Sequence, residues 1–209
     1  MTEPREIASA LERVVDGVYY WQIRNSAIGG AVSSSHAVVF EDDCVLIDPV
    51  GLEPKTLHTL RRPTAIVLTA TCHQRAAWRY RRELGVDVWL PEDARPADDE
   101  PDHRYRDGDL LPGGLRAVHT PGPEPAHYSL YCERGGGIVF CSDLVGSDET
   151  GRLHLVPAEY QDDPAEARRS IERLLRLRFQ VLCLDHGRPV VADAAGALRR
   201  VLKRAAAPA

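Results

Sequence analysis

Five short polar stretches hold the side chains able to do chemistry, and each follows or ends an apolar run. They are Asp48-Pro49-Val50-Gly51, Thr69 to Arg75, His119-Thr120-Pro121-Gly122-Pro123, Ser142-Asp143 and Asp185-His186-Gly187. Layered α/β proteins gather their sites at strand ends, where loops converge at the rim of a buried sheet. The richest stretch is Thr69-Ala70-Thr71-Cys72-His73-Gln74-Arg75, which brings together a thiol, an imidazole and a guanidinium. Cys72 offers a soft metal ligand or a nucleophile. It is the one cysteine in a polar, turn-like setting; Cys44, Cys132, Cys141 and Cys183 lie among apolar neighbours and read as core. Asp143 and His186 add a carboxylate and an imidazole for ligation or acid–base work, and Asp48 is counted as a pocket residue. His73 and His127 are counted as pocket residues, although the place of His73 beside Cys72 favours the surface and His127 suits a hydrogen-bonded strand end. His36, His58, His103 and His154 show no ligand spacing and are treated as ordinary.

The elements that must position these groups follow from hydropathy. Val18 to Ile23 is aromatic and β-branched, hence a strand. His36 to Phe40 and Val45 to Asp48 form a hairpin about Glu41-Asp42-Asp43, with Gly29-Gly30 and Ser33-Ser34-Ser35 in the loop before it. Then helix and strand alternate. Pro54 to Leu60 and Gln74 to Leu84 are predicted helices; Ala65 to Leu68 and Val86 to Leu90 are predicted strands. Residues 92–109 hold eight acidic residues, three arginines and two prolines, and read as a solvated loop with one short strand near Tyr105. Strands follow at Leu115 to His119, Tyr128 to Cys132 and Ile138 to Cys141, with Gly135-Gly136-Gly137 as a turn. Asp163-Pro164-Ala165-Glu166 opens a helix with a capping box. A strand at Val181 to Leu184 and a helix at Ala194 to Arg204 close the chain. The order suggests two similar halves within one domain spanning 1–209.

The 209 residues suffice for one substantial α/β domain. A net charge of −5 and 6% aromatic residues, with basic and acidic groups interleaved, argue against a nucleic-acid surface. No apolar run reaches membrane-spanning length, and the charged N-terminus lacks a secretory apolar region. Five cysteines without CxxC spacing suggest free thiols in a reducing cytoplasm. No Gly-x-Ser-x-Gly elbow, phosphate-binding loop, Rossmann fingerprint or zinc-ribbon pairing is present.

The ordered series Val45-Leu46-Ile47-Asp48, Ile66-Val67-Leu68-Thr69, His119-Thr120-Pro121-Gly122, Phe140-Cys141-Ser142-Asp143-Leu144 and His186-Gly187 resembles the metallo-β-lactamase superfamily over nearly the whole chain. That superfamily also holds glyoxalase II and lactonases. The resemblance implies a four-layer αββα sandwich. It also implies a dinuclear metal site built from a Thr-His-x-His-x-Asp-His loop, a His after Thr-Pro-Gly, a bridging Asp and a final His. The chain departs from this pattern at Ala70, Cys72, Gln74, Arg75 and Pro123, and keeps the family's ligands only at Asp143 and His186.

Two consequences are expected. A guanidinium at Arg75 is predicted to pair with Asp143 where the metals would lie, since an unpaired buried carboxylate is costly. The cofactor expectation is none, with one zinc, manganese or iron ion on Cys72, Asp143 and His186 as the alternative. The functional expectation is a protein without the dinuclear site and hydrolase activity, serving as a small-molecule-binding, regulatory or structural protein. The alternative is an ester, thioester or lactone hydrolase with a site rebuilt around Cys72, Asp143 and His186, in which Cys72 and His186 are the catalytic groups. Cys72 also reads as a loop cysteine that drifted in once metal was lost. The partner is expected to be a small molecule or a protein, with no nucleic acid and no membrane. Tyr19, Tyr20 and Trp21 form either core or a homodimer surface.

Overall fold

The computed structural model describes residues 3–206. A seven-stranded sheet holds, in spatial order, β2 (Glu12–Val15), β3 (Val18–Asn25), β4 (Ala31–Phe40), β5 (Asp43–Ile47), β7 (Ala65–Val67), β8 (Asp87–Pro91) and β9 (His103–Tyr105). A five-stranded sheet runs β10 (Leu110–Leu111), β11 (Leu115–His119), β12 (Tyr128–Cys132), β13 (Ile138–Phe140) and β16 (Val181–Cys183). Two short pairs complete the strands: β1 (Ile7–Ala8) with β6 (Gly51–Leu52), and β14 (Val145–Ser147) with β15 (Leu153–Leu155). The helices are α1 (Pro54–Leu57), α2 (Ala77–Leu84), α3 (Pro164–Leu174) and α4 (Ala194–Ala206).

Strand alternation builds the layers. On β5, Val45 and Ile47 face the second sheet and join Leu115, Leu130 and Phe140, while Leu46 points the other way to Trp78 and Tyr80 of α2. On the second sheet, Val139 and Leu182 point outward to Ile171 and Leu174 of α3 and Leu198 and Val201 of α4. The result is the αββα sandwich that the resemblance implies. Tyr20 and Trp21 are 3% and 2% exposed, so both belong to the core.

Some boundaries differ from the hydropathy reading. Ser33-Ser34-Ser35 lie inside β4, not in a loop. Their burial is tolerated because their hydroxyls find partners: Ser35 Oγ donates to Asp48 O at 2.6 Å and Ser34 Oγ to Gly187 O at 2.9 Å. The second helix begins at Ala77, three residues after Gln74, because the Gln74 side chain is spent on neighbouring loops. Asp163 caps α3 by accepting from the Ala165 and Glu166 amides, yet Glu166 does not close the box; its carboxylate turns to Arg169. The acidic stretch is exposed but fastened. Arg81 binds Asp99 and Asp102, Arg82 binds Asp98, and Arg106 binds Glu92.

Parallel pairing of β5 with β7 and of β13 with β16 sends the carboxyl ends of both pairs to the same rim. The halves are stitched there, with the Ser34 amide donating to Asp185 O at 2.7 Å and the Tyr128 amide to Thr69 O at 2.8 Å. Gly122 makes a close approach possible at this rim. Its φ is +134°, and a Cβ would stand 2.3 Å from the Ala167 amide nitrogen of α3. Gly122→Ala is expected to destabilise the fold by about 3 kcal/mol, the upper end of overpacking costs. A urea midpoint equal to that of the parent would refute this account of the turn.

Candidate functional site

Asp48 follows β5, the Thr69 to Arg75 segment follows β7, Ser142-Asp143 follows β13 and Asp185-His186 follows β16. Asp48, Arg75 and Ser142 take left-handed φ values of 46°, 38° and 51°. Such backbone costs on the order of 1–3 kcal/mol per non-glycine residue and collects at working sites.

His73 lies at the centre. The ring is 3% exposed, which overturns the surface orientation expected from its place beside Cys72. Its Nε2 is 3.0 Å from Asp143 Oδ2. Its Nδ1 is 3.1 Å from Asp185 Oδ2 and 3.3 Å from Asp48 Oδ2, with the Thr69 and Ser142 hydroxyls each at 3.2 Å. The short 3₁₀ turn at Thr71–His73 swings the ring inward. Burial opposes charge on this ring, as does Arg75, but the Asp143 and Asp185 carboxylates hold its pKa well above the usual value. Its aspartate neighbours therefore favour the charged form of His73.

Arg75 supplies a second buried cation and is 4% exposed. Its expected pairing with Asp143 is not formed. Nη2 instead lies 3.1 Å from Asp185 Oδ2, and Nη1 donates to Ser34 O at 2.7 Å and Asp48 O at 3.0 Å. The physical reason is competition. Asp143 is already engaged by two imidazoles, whereas Asp185 is wholly buried beneath them and faces Asp48. Burial and Asp48 push Asp185 up to about 7, against the pull of His73 and Arg75.

Asp143 is the outermost of the three. Its Oδ1 meets His186 Nε2 at 2.8 Å, and Cys72 Sγ donates to Oδ2 at 3.6 Å. Burial would raise its pKa, but His73 and His186 hold it well below the carboxylate range. His186 Nδ1 donates to Val32 O at 2.6 Å, and its bond to Asp143 raises its pKa against burial. His127 is wholly buried and accepts the Asp143 amide at Nε2, 3.1 Å, while Nδ1 donates to Thr120 O at 2.6 Å. That bonding fixes a neutral ring, and burial pushes its pKa down to about 4. Burial likewise raises the Cys72 thiol, with Asp143 and Glu124 adding to it against His73. Asp48 takes the Thr69 amide and hydroxyl at 2.8 and 2.5 Å, holding the loop from behind.

Sequence reasoning assigned no role to Asp185 or Glu124. Asp185 had a signal, being a carboxylate at a strand end next to a retained His186, as Asp48 ends β5. Glu124 had none; its Oε1 accepts the Thr71 amide at 2.5 Å and so braces the Cys72 turn.

A two-ion centre does not fit these residues. Ala70 and Pro123 offer no side-chain donor atom. Gln74 is saturated: Oε1 accepts from Trp78 Nε1 and the Ala97 amide, and Nε2 donates to Thr71 O and Arg95 O. Arg75 places a fixed cation against Asp185.

The profile of the metallo-beta-lactamase superfamily matches residues 70–186, more than half of the chain. The chain belongs to the metallo-β-lactamase superfamily. Solved members share its fold at low identity. A superfamily protein of the archaeon Sulfolobus tokodaii is 14% identical, with 91% of this chain and 87% of that one covered at a TM-score of 0.70. The metallo-β-lactamase FIM-1 of Pseudomonas aeruginosa, in its mono-zinc form, is 16% identical, with 98% and 99% covered at 0.71. A family protein of Thermus thermophilus is 16% identical, with 92% and 79% covered at 0.67. No curated protein matches the sequence. Within this superfamily chain, a double-mutant cycle of Arg75→Met with Asp185→Asn should show a coupling of about 1–3 kcal/mol. The cycle with Asp143→Asn should show much less, and the reverse ranking in chemical denaturation would overturn the pairing described.

Proposed function

We propose that this member of the superfamily has lost the dinuclear centre and the hydrolysis that depends on it, and serves as a small-molecule-binding or regulatory protein. The observation that carries the reading is the buried Arg75 guanidinium, 3.1 Å from Asp185, beside a Gln74 whose donors and acceptors are all taken. A metal pair neutralises carboxylates and also lowers the pKa of a bound water to make a nucleophile. A guanidinium does only the first, since it has no coordination position for water. When bound, a metal would supply that Lewis acidity; here the chain's own cations supply charge balance alone.

The alternative is an ester, thioester or lactone hydrolase rebuilt around Cys72, Asp143 and His186. The three are assembled, and Cys72 is only partly buried. The electrostatics oppose it, because burial and the flanking carboxylates disfavour the thiolate that would have to attack. A cytoplasmic setting is supported by five free cysteines. No helix among the described residues is long and apolar enough to cross a membrane.

The test is turnover of a chromogenic β-lactam, an aryl ester, a thioester and a lactone by the full chain supplied with zinc. No rate above a zinc-only control is expected at either one or two equivalents. A rate that appears with the second equivalent would overturn the proposal.

A further inference from the structure

Among the described residues, two groups of three side chains bring ligand atoms within 4.8 Å of one another: Asp48, His73 and Asp185, and Cys72, His73 and Asp143. The first group is wholly buried and already contains the Arg75 guanidinium at Asp185. The second contains no guanidinium, and it reaches the surface through Cys72 and the partly exposed Asp143, whose other oxygen faces His186.

We propose that Cys72 Sγ, His73 Nε2 and Asp143 Oδ2 form a site for a single thiophilic divalent cation, zinc by preference, with a fourth position left to water or a ligand. The proposal rests on the reading that the two-ion centre is gone. It does not restore the inherited site. Cys72 stands where the family pattern has a histidine, and His73 stands at a spacer position of that pattern.

Geometry favours this set. Zinc bonds of about 2.0–2.3 Å in a tetrahedron leave ligand atoms roughly 3.2–3.7 Å apart. Cys72 Sγ and His73 Nε2 lie 3.6 and 3.0 Å from Asp143 Oδ2, close to those separations, and all three ligand atoms lie within 4.8 Å of one another. Sulfur, nitrogen and oxygen donors together suit zinc better than a hard ion such as magnesium or calcium.

The surrounding bonds are those a metal histidine needs. A ligating imidazole ordinarily donates its other N–H to a carboxylate, which fixes the ring and its tautomer. His73 Nδ1 faces Asp185 at 3.1 Å and Asp48 at 3.3 Å, and its hydrogen-bond partners are the Thr69 and Ser142 hydroxyls at 3.2 Å. Asp143 is oriented from its other oxygen by His186 at 2.8 Å and from its amide by His127 at 3.1 Å.

The test is titration of chelator-stripped full-length chain with cobalt(II), read by thiolate-to-cobalt absorption in the near ultraviolet, then back-titration with zinc. One equivalent of cobalt should bind with the thiolate band, and one of zinc should abolish it. Cys72→Ser, checked for an unchanged far-ultraviolet dichroism spectrum, should lose the band. His186→Ala should keep the band but weaken binding roughly 10–100-fold, the usual effect of losing an outer support. Binding of one ion without a thiolate band, or a band that survives Cys72→Ser, would overturn the ligand assignment. Absence of any binding would overturn this inference and leave the proposed function standing. Two equivalents would overturn both.

Discussion

Three aspartates meet at the junction of the two sheets, and their mutual repulsion must be offset for the halves to close. Asp48 ends β5, Asp143 follows β13 and Asp185 follows β16, so each is delivered by a different strand end. Asp48 and Asp185 are 0% and 1% exposed. Water cannot screen them, and uncompensated buried charge costs several kcal/mol per ion. His73 and Arg75 offset it from one short segment after β7. That segment is itself tied to both halves, through Asp48 to Thr69 on one side and Thr69 to Ser142, at 2.8 Å, on the other. The cluster thus acts as a seam.

The fold was legible because its signals are redundant. Alternation on β5, the apolar run at Ala65–Val67 and the Asp163-Pro164 cap each follow from local physics, and their order restricts the topology. Errors fell where tertiary bonds override local preference. Ser33 to Ser35 look like loop residues, but partners at Asn25, Gly187 and Asp48 let them sit in β4. Gln74 looks like a helix opener, but its amide joins the Thr71 turn to the loop at Arg95 and Ala97.

The site was legible in its members and less so in its pairings. Asp48, Cys72, Arg75, His127, Asp143 and His186 all gather at the rim. Motif position gave Arg75 the wrong partner because it indicates which loop a residue occupies, not which of two neighbouring carboxylates its side chain reaches. The left-handed backbone at Arg75 sends the guanidinium under the cluster to Asp185. His73 was misjudged because adjacent residues of an extended loop face opposite ways, whereas the 3₁₀ turn at Thr71–His73 lets neighbours share a side.

The replacements form a connected set. A guanidinium at Arg75 neutralises Asp185 permanently, so a metal ligand restored at Gln74 alone would face a fixed positive charge. Gln74 in turn fastens the loop at Arg95 and Ala97, whose continuation is held by Arg81 and Arg82 on α2. An acidic side chain there would leave the Trp78 N–H and the Ala97 amide their acceptor, but it would remove the donor that Thr71 O and Arg95 O now share. Charge at Arg75 and hydrogen bonding at Gln74 therefore oppose the return of a second ion by independent means. Cys72, one turn of the loop nearer solvent, is released from both constraints. In the proposed reading, Arg75 and the imidazoles of His73 and His186 balance the three aspartates at the rim, and of these groups only the guanidinium can never give up its charge to make room for a metal.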